Sequence, residues 1–178
     1  LLVSTNLVAQ PPAPDYSKIF IESSKAWVDV DYVGDRIIGH KLDIYLPKTG
    51  EGPFPVGIAI YGSAWFSNSS KSANFHVGLD QALLNSGFAV VNINHRSSRD
   101  AIWPAQIQDV KAAVRFIRAN AATFSLDNSF IGITEFSSGG HLSSMAAVTS
   151  HTKTDEINGI DIDLEGSLGK FQETSSHV

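Results

Sequence analysis

Cysteine is missing from all 178 positions, which excludes disulfides, thiolate nucleophiles and cysteine-based metal sites together. No apolar run is long enough to span a bilayer. The six histidines, His40, His76, His95, His141, His151 and His177, are dispersed, with no cluster at metal-ligand spacing. Basic residues are scarce and scattered. Against 18 Asp and Glu there are 13 Lys and Arg, a net charge of −5, which leaves no basic stripe for nucleic acid or for an anionic membrane. A phosphate loop is absent too, because neither "GSAWFSNSSKS" nor "SSGGH" has the required glycine spacing and terminal lysine. What is present is an ordinary globular composition, 43% hydrophobic and 17% charged. These exclusions predict a small-molecule or otherwise uncharged partner, with no cofactor, no metal, no nucleic acid and no membrane.

The N-terminal "LLVSTNLVAQPPAPDYSK" joins an apolar, small-residue stretch to a proline-rich one. Val8 and Ala9 match the small residues that precede a secretory cleavage site. Residues 1–24 are therefore expected to be a signal-peptide remnant and linker, residues 25–178 the domain, and the location secreted or periplasmic.

Beyond the linker the periodicity is regular. "AWVDVDYVG" and "KLDIYLP" read as strands, and "PVGIAIYG" and "FAVVNINHR" are near-continuous apolar runs of the kind buried on both faces of a parallel sheet. A helix is expected around "HVGLDQALLNSG", stopped at Gly87. A longer one is expected within "WPAQIQDVKAAVRFIRANAATF", where Ile107, Val110, Val114 and Ile117 share a face and Pro104 suits the first turn. "SFIGIT" is a further strand. The "NG" pair in "HTKTDEINGIDIDLEGSLGK" marks a hairpin. Strand and helix alternate after an antiparallel entry, which predicts an α/β fold with a mostly parallel sheet and helices on both faces.

Such sheets carry their chemistry beyond the carboxyl ends of the strands. One of those ends is "ITEFSSGGHLSSMAA", where a β-branched run breaks at Ser-Ser-Gly-Gly and passes directly into a helical pattern. Except at its first position, Glu135-Phe136-Ser137-Ser138-Gly139 fits the G-x-S-x-G nucleophile elbow, in which a strained turn exposes a serine. Ser137 is the candidate nucleophile, and the Ser138 amide at the helix N-terminus is a candidate oxyanion donor. A plain helix cap would use the same residues. The loop "YGSAWF" tips the balance, because it follows the third strand where esterases of this architecture carry an oxyanion loop; Tyr61 stands for its histidine and Ser63-Ala64 for its later glycines.

Through "LDIYLP", "YGSAW", "NHRSS", "PAQIQDVKAAVRFIRANAATFSLD" and "GITEFSSGGHL", the chain resembles the α/β-hydrolase superfamily across about residues 40–145. Within it the resemblance is to secreted bacterial carboxylesterases, including feruloyl and acetyl esterases of plant cell walls. The resemblance implies a serine ester hydrolase acting on a small-molecule or polysaccharide-linked ester through an acyl-enzyme. Ser138 with Ser63 or Ala64 would form the oxyanion hole, and Trp65 and Tyr61 would line the substrate pocket. A prolyl-oligopeptidase-type peptidase shares the elbow, and an inactive hydrolase-like protein is the non-enzymatic alternative.

Two departures weigh on that expectation. Glu135 stands where the family has glycine, and is expected to crowd the elbow and to oppose negative charge beside the nucleophile. The family's triad acid and histidine lie beyond the segment matched here, so the chain is expected to represent the first two thirds of the domain and to be inactive alone. Its own histidines are poor substitutes. His141 is expected to be structural, His95 to pack, and His177 to open a sixth strand. Asp109 is expected on a solvated helix face, and Arg96, Arg99 and Asp100 in an exposed ion-pair cluster.

Overall fold

The computed structural model describes residues 21–72 and 77–150, together with the backbone of 154–157 and 160–163. The expected signal-peptide remnant and His177 lie outside these residues. Strands β1 (Lys25–Asp31), β2 (Lys41–Leu46), β3 (Phe54–Ile60), β4 (Ala89–Ile93) and β5 (Leu126–Glu135) form one sheet in the order β1-β2-β4-β3-β5. Helices α1 (Val77–Asn85) and α2 (Ala105–Ala119) make the crossovers, and α3 (Ser138–Val148) leaves the end of β5. β3 is parallel to both β4 and β5, whereas β2 is antiparallel to β4 and β1 to β2. The sheet is thus mixed, with the parallel strands gathered where the chemistry is expected.

Strand alternation explains the two faces. Val56, Ile58 and Ile60 of β3 and Val91 and Ile93 of β4 are fully buried with Ile107, Val110 and Ile117 of α2 and Leu142 of α3, forming one core. Burying each such side chain contributes about 1.5–3 kcal/mol. Gly57 points the other way, and a Cβ there would lie 3.1 Å from Leu83 Cδ1, so α1 packs directly on the strand backbone. Helices therefore cover both faces.

Helix α2 ends at Ala119, earlier than its apolar pattern runs. The chain turns back there so that Phe124 packs edge-on against Trp27 at 5.1 Å, and Leu126 N–H bonds the Ala121 carbonyl on the way into β5. The strands of the expected hairpin are seen as β6 (Thr154–Ile157) and β7 (Ile160–Asp163), paired antiparallel; the Asn-Gly pair between them lies outside the described residues.

Candidate active site

Only Phe136 and Ser137 separate β5 from α3. Ser137 takes φ 55° and ψ −117°, a conformation that costs a non-glycine residue about 1–3 kcal/mol and persists only when its surroundings enforce it. Those surroundings are visible. Phe136 N–H donates to the Ile60 carbonyl at 3.2 Å, and Gly139 and Gly140 N–H donate to the Phe136 and Ser137 carbonyls at 2.9 Å each. A Cβ on Gly139 would collide with the Ile60 carbonyl, so helix and strand can approach this closely only at glycine. The Ser137 side chain is exposed at the carboxyl edge of the sheet and takes no hydrogen bond among the described residues.

The loop after β3 presses against this corner. A Cβ on Gly62 would lie 2.5 Å from the Phe136 carbonyl oxygen and 2.6 Å from Ser137 Cβ. Ala64 and Trp65 follow at φ 48° and 61°, two consecutive left-handed residues. The structure reassigns Ser63: its N–H donates to Ser138 Oγ at 3.0 Å and is spent on joining the loop to α3. The N–H groups of Ala64 and Ser138 are among those that take no partner from the described residues. Ser138 sits in the first turn of α3, where the helix dipole favours a negative ligand.

Tyr61 is also reassigned. It is 1% exposed, stacks on His95 at 4.7 Å and donates its hydroxyl to the Ser67 carbonyl at 2.9 Å, so it packs beneath the loop and lines no pocket. His95 donates Nδ1–H to the Arg96 carbonyl, and burial pushes its pKa down, which keeps the ring neutral. Trp65 is 36% exposed and meets the His141 ring edge-on at 5.5 Å; Trp103 meets the same ring at 5.4 Å. Phe66, Ile102 and Phe136 are exposed as well.

Glu135 does not crowd the elbow. Its carboxylate rests over Gly140, where a Cβ would lie 3.1 Å from Oε2, so the absent side chain at 140 makes the room. The carboxylate also lies beside the positive end of α3, which stabilises it there.

Asp109 overturns its expectation, being fully buried. It accepts Arg96 N–H at 2.7 Å, the Arg96 guanidinium at 2.6–3.0 Å and His40 Nε2 at 3.2 Å, while His40 Nδ1 faces Asp35 at 2.7 Å. Periodicity could not reveal this, because the partners come from the segment before β2 and the loop after β4. Desolvation opposes charge on His40, but the Asp109 and Asp35 carboxylates prevail and raise its pKa. The same loop continues to Asp100, which accepts from Ser97 and from Asn68, and to Ser98, which donates to the Trp65 carbonyl at 2.7 Å. Arg99 stands over Phe66 at 5.4 Å. The expected surface ion-pair cluster is therefore a brace for the Gly62–Trp65 loop. Asp109, Ser97 and Ser98 are the site-supporting residues that sequence reasoning missed.

A mixed sheet ordered β1-β2-β4-β3-β5, with a strained serine at the β5–α3 corner and the loop after β3 packed against it, defines an α/β-hydrolase domain. The chain belongs to the BD-FAE family, whose model matches residues 42–178. Among curated proteins it is 41% identical over 125 residues to the probable carboxylic ester hydrolase LipM of Mycobacterium tuberculosis, covering 68% of this chain and 28% of that protein. It is 36% identical over 97 residues to esterase LipQ of the same organism, covering 54% and 23%. Among solved structures it is similar to a bifunctional GH43-CE protein of Bacteroides eggerthii, at 58% identity and TM-score 0.78, covering 81% of this chain and 20% of that one. It is also similar to a truncated carbohydrate esterase from gut microbiota, at 54% identity and TM-score 0.80, covering 88% and 54%. The chain thus spans roughly a quarter of the length of these two curated relatives.

Proposed function

We propose that the protein is a carboxylic ester hydrolase with Ser137 as its nucleophile. The observation that carries this reading is the Ser137 backbone, strained at φ 55° and ψ −117° to present an exposed hydroxyl beside two unpartnered amides. The esterase names of the relatives point the same way.

In this reading Ser137 Oγ attacks the ester carbonyl while its proton passes to a histidine. The Ala64 and Ser138 amides hold the oxyanion, a single such donor being worth about 3 kcal/mol of barrier. Collapse expels the alcohol, which takes the proton from the histidine. Water then repeats the cycle on the acyl-enzyme to release the acid and restore Ser137. Among the described residues none hydrogen-bonds Ser137 Oγ, so the histidine and its orienting carboxylate come from outside that set.

The substrate proposed is an acetyl or hydroxycinnamoyl ester borne by a polysaccharide. The relatives named for carbohydrate-ester chemistry support it, as do exposed Phe136 next to the serine and Trp65 on the loop after β3. The N-terminal pattern supports a secreted or periplasmic site of action. The test is hydrolysis of p-nitrophenyl acetate and methyl ferulate by the full-length protein, with a fluorinated phosphonate as covalent label. We expect label on Ser137 and loss of both activities in Ser137→Ala. Undiminished hydrolysis by Ser137→Ala would refute the assignment.

A further inference from the structure

We infer that His141 is a positioning residue whose ring, by contact alone, holds the oxyanion loop in its strained shape. The inference rests on the reading of Ser137 as nucleophile. An exposed histidine four residues after that serine invites a proton-transfer role. Its neighbours argue for another one. The ring is met edge-on by Trp65 at 5.5 Å with planes at 85°, and by Trp103 at 5.4 Å with planes at 60°. Three carboxyl-end segments therefore meet at one imidazole: the loop after β3, the loop after β4, and α3.

The loop needs such support. Ala64 and Trp65 both lie in the left-handed region, at φ 48° and 61°, a combination L residues adopt only under external constraint. The polar constraints include Ser63 N–H on Ser138 Oγ, Phe66 N–H on the Ser63 carbonyl, Ser67 N–H on Ser63 Oγ, and Ser98 N–H and Oγ on the Trp65 carbonyl. All of them hold backbone or the Ser63 side chain, and none holds the Trp65 ring. His141 is what packs against the Trp65 ring from α3, and Trp103 steadies His141 from the opposite loop. With the ring removed, Trp65 can rotate toward an ordinary conformation and carry the Ala64 peptide with it, turning away one of the two free amides. That amide acts on charge that develops only in the transition state, so its displacement lowers kcat and leaves substrate binding nearly intact.

The experiment compares His141→Ala and His141→Phe with wild type in the full-length protein, on p-nitrophenyl acetate, with rates normalised to phosphonate-titrated serine. His141→Ala should lose about tenfold or more in kcat, part of the 10²–10³ that a whole donor supplies, with KM changed less than threefold. His141→Phe, which keeps a planar ring, should recover most of that loss, and the pH profile should keep its shape in both variants. If His141→Phe is as impaired as His141→Ala, or if the profile loses its acidic limb, the ring nitrogens matter and the inference fails. Wild-type kcat in His141→Ala, with Ser137 still labelled, would overturn the positioning role alone. Failure of the phosphonate to label wild-type Ser137 would instead overturn the nucleophile assignment, and this role with it.

Discussion

The Ser63 backbone N–H and Ser138 Oγ, 75 positions apart in the chain, are joined by a 3.0 Å hydrogen bond. It ties the loop after β3 to the first turn of α3, and so fixes the distance between the Ala64 and Ser138 amides that would face an oxyanion. In the proposed reading Ser138 contributes twice, through its own amide and through its side chain.

Replacing Ser138 by alanine removes the acceptor and strands a part-buried N–H, which costs about 1–3 kcal/mol. The expected outcome is a lowered melting temperature and a kcat reduced about tenfold on p-nitrophenyl acetate, while Ser138→Thr keeps most of both. Wild-type kinetics in Ser138→Ala would show that the bond does not set the loop.

At Gly62 a methyl group would meet the Phe136 carbonyl oxygen at 2.5 Å and Ser137 Cβ at 2.6 Å, backbone and near-backbone atoms that cannot swing away. Gly62→Ala should therefore push loop and elbow apart, cost about 1–3 kcal/mol as other overpacked positions do, and lower activity by two orders of magnitude or more. Calorimetry and steady-state rates check the two parts separately.

Asp109 is expected to be the most sensitive polar position. Asn at this site removes the charge shared by buried His40 and by Arg96, and breaking a buried pair from one side costs about 3–5 kcal/mol. Denaturant unfolding measures it. His40 adds a sign: its folded pKa is raised above the unfolded 6.5. Its stabilisation is complete below 6.5 and is lost as pH rises through the folded value. The difference in stability between wild type and His40→Gln should shrink across that alkaline window.

Among the described residues Asp80, fully buried on α1, accepts only from Asn92 Nδ2 at 2.9 Å, and Asp80 Oδ1 and Asn92 Oδ1 are both without partners. Desolvation outweighs the Asn92 bond and raises its pKa from 3.8 to about 6. The folded state thus holds the proton more tightly than the unfolded chain. The fold loses up to about 3 kcal/mol as pH climbs from 3.8 to about 6, and stays at that lower level above it. Asp80→Asn should raise stability at pH 7–8 by about 1–3 kcal/mol and show no gain below pH 4. Urea titrations at pH 4, 6 and 8 test the sign.

The strands and helices were legible because each signal is local. The buried run from Val56 to Ile60 and the α2 face of Ile107, Val110 and Ile117 announce their periods within a few residues. The tight corner at Ser137 was legible as well, since so close an approach of strand and helix needs small residues at set offsets, and Gly139 shows why. The sequence pattern misjudged residues whose role depends on partners far along the chain. Asp109 looked solvated, Tyr61 looked like pocket lining, and Glu135 looked like an obstruction.

By itself, then, the sequence determined the alternation of elements, the serine at their sharpest corner and the family to which the chain belongs. Tertiary structure alone decided which amide remains free, because the Ser63 N–H finds its acceptor 75 positions away. It decided that Glu135 has room, because Gly140 in the first turn of α3 lies under the carboxylate. It also decided that a buried Asp109 anchors the loop bracing the site, since only folding brings His40 and Arg96 to a single carboxylate. Periodicity reports which face a residue takes; which atoms meet there depends on contacts between segments that no local pattern encodes.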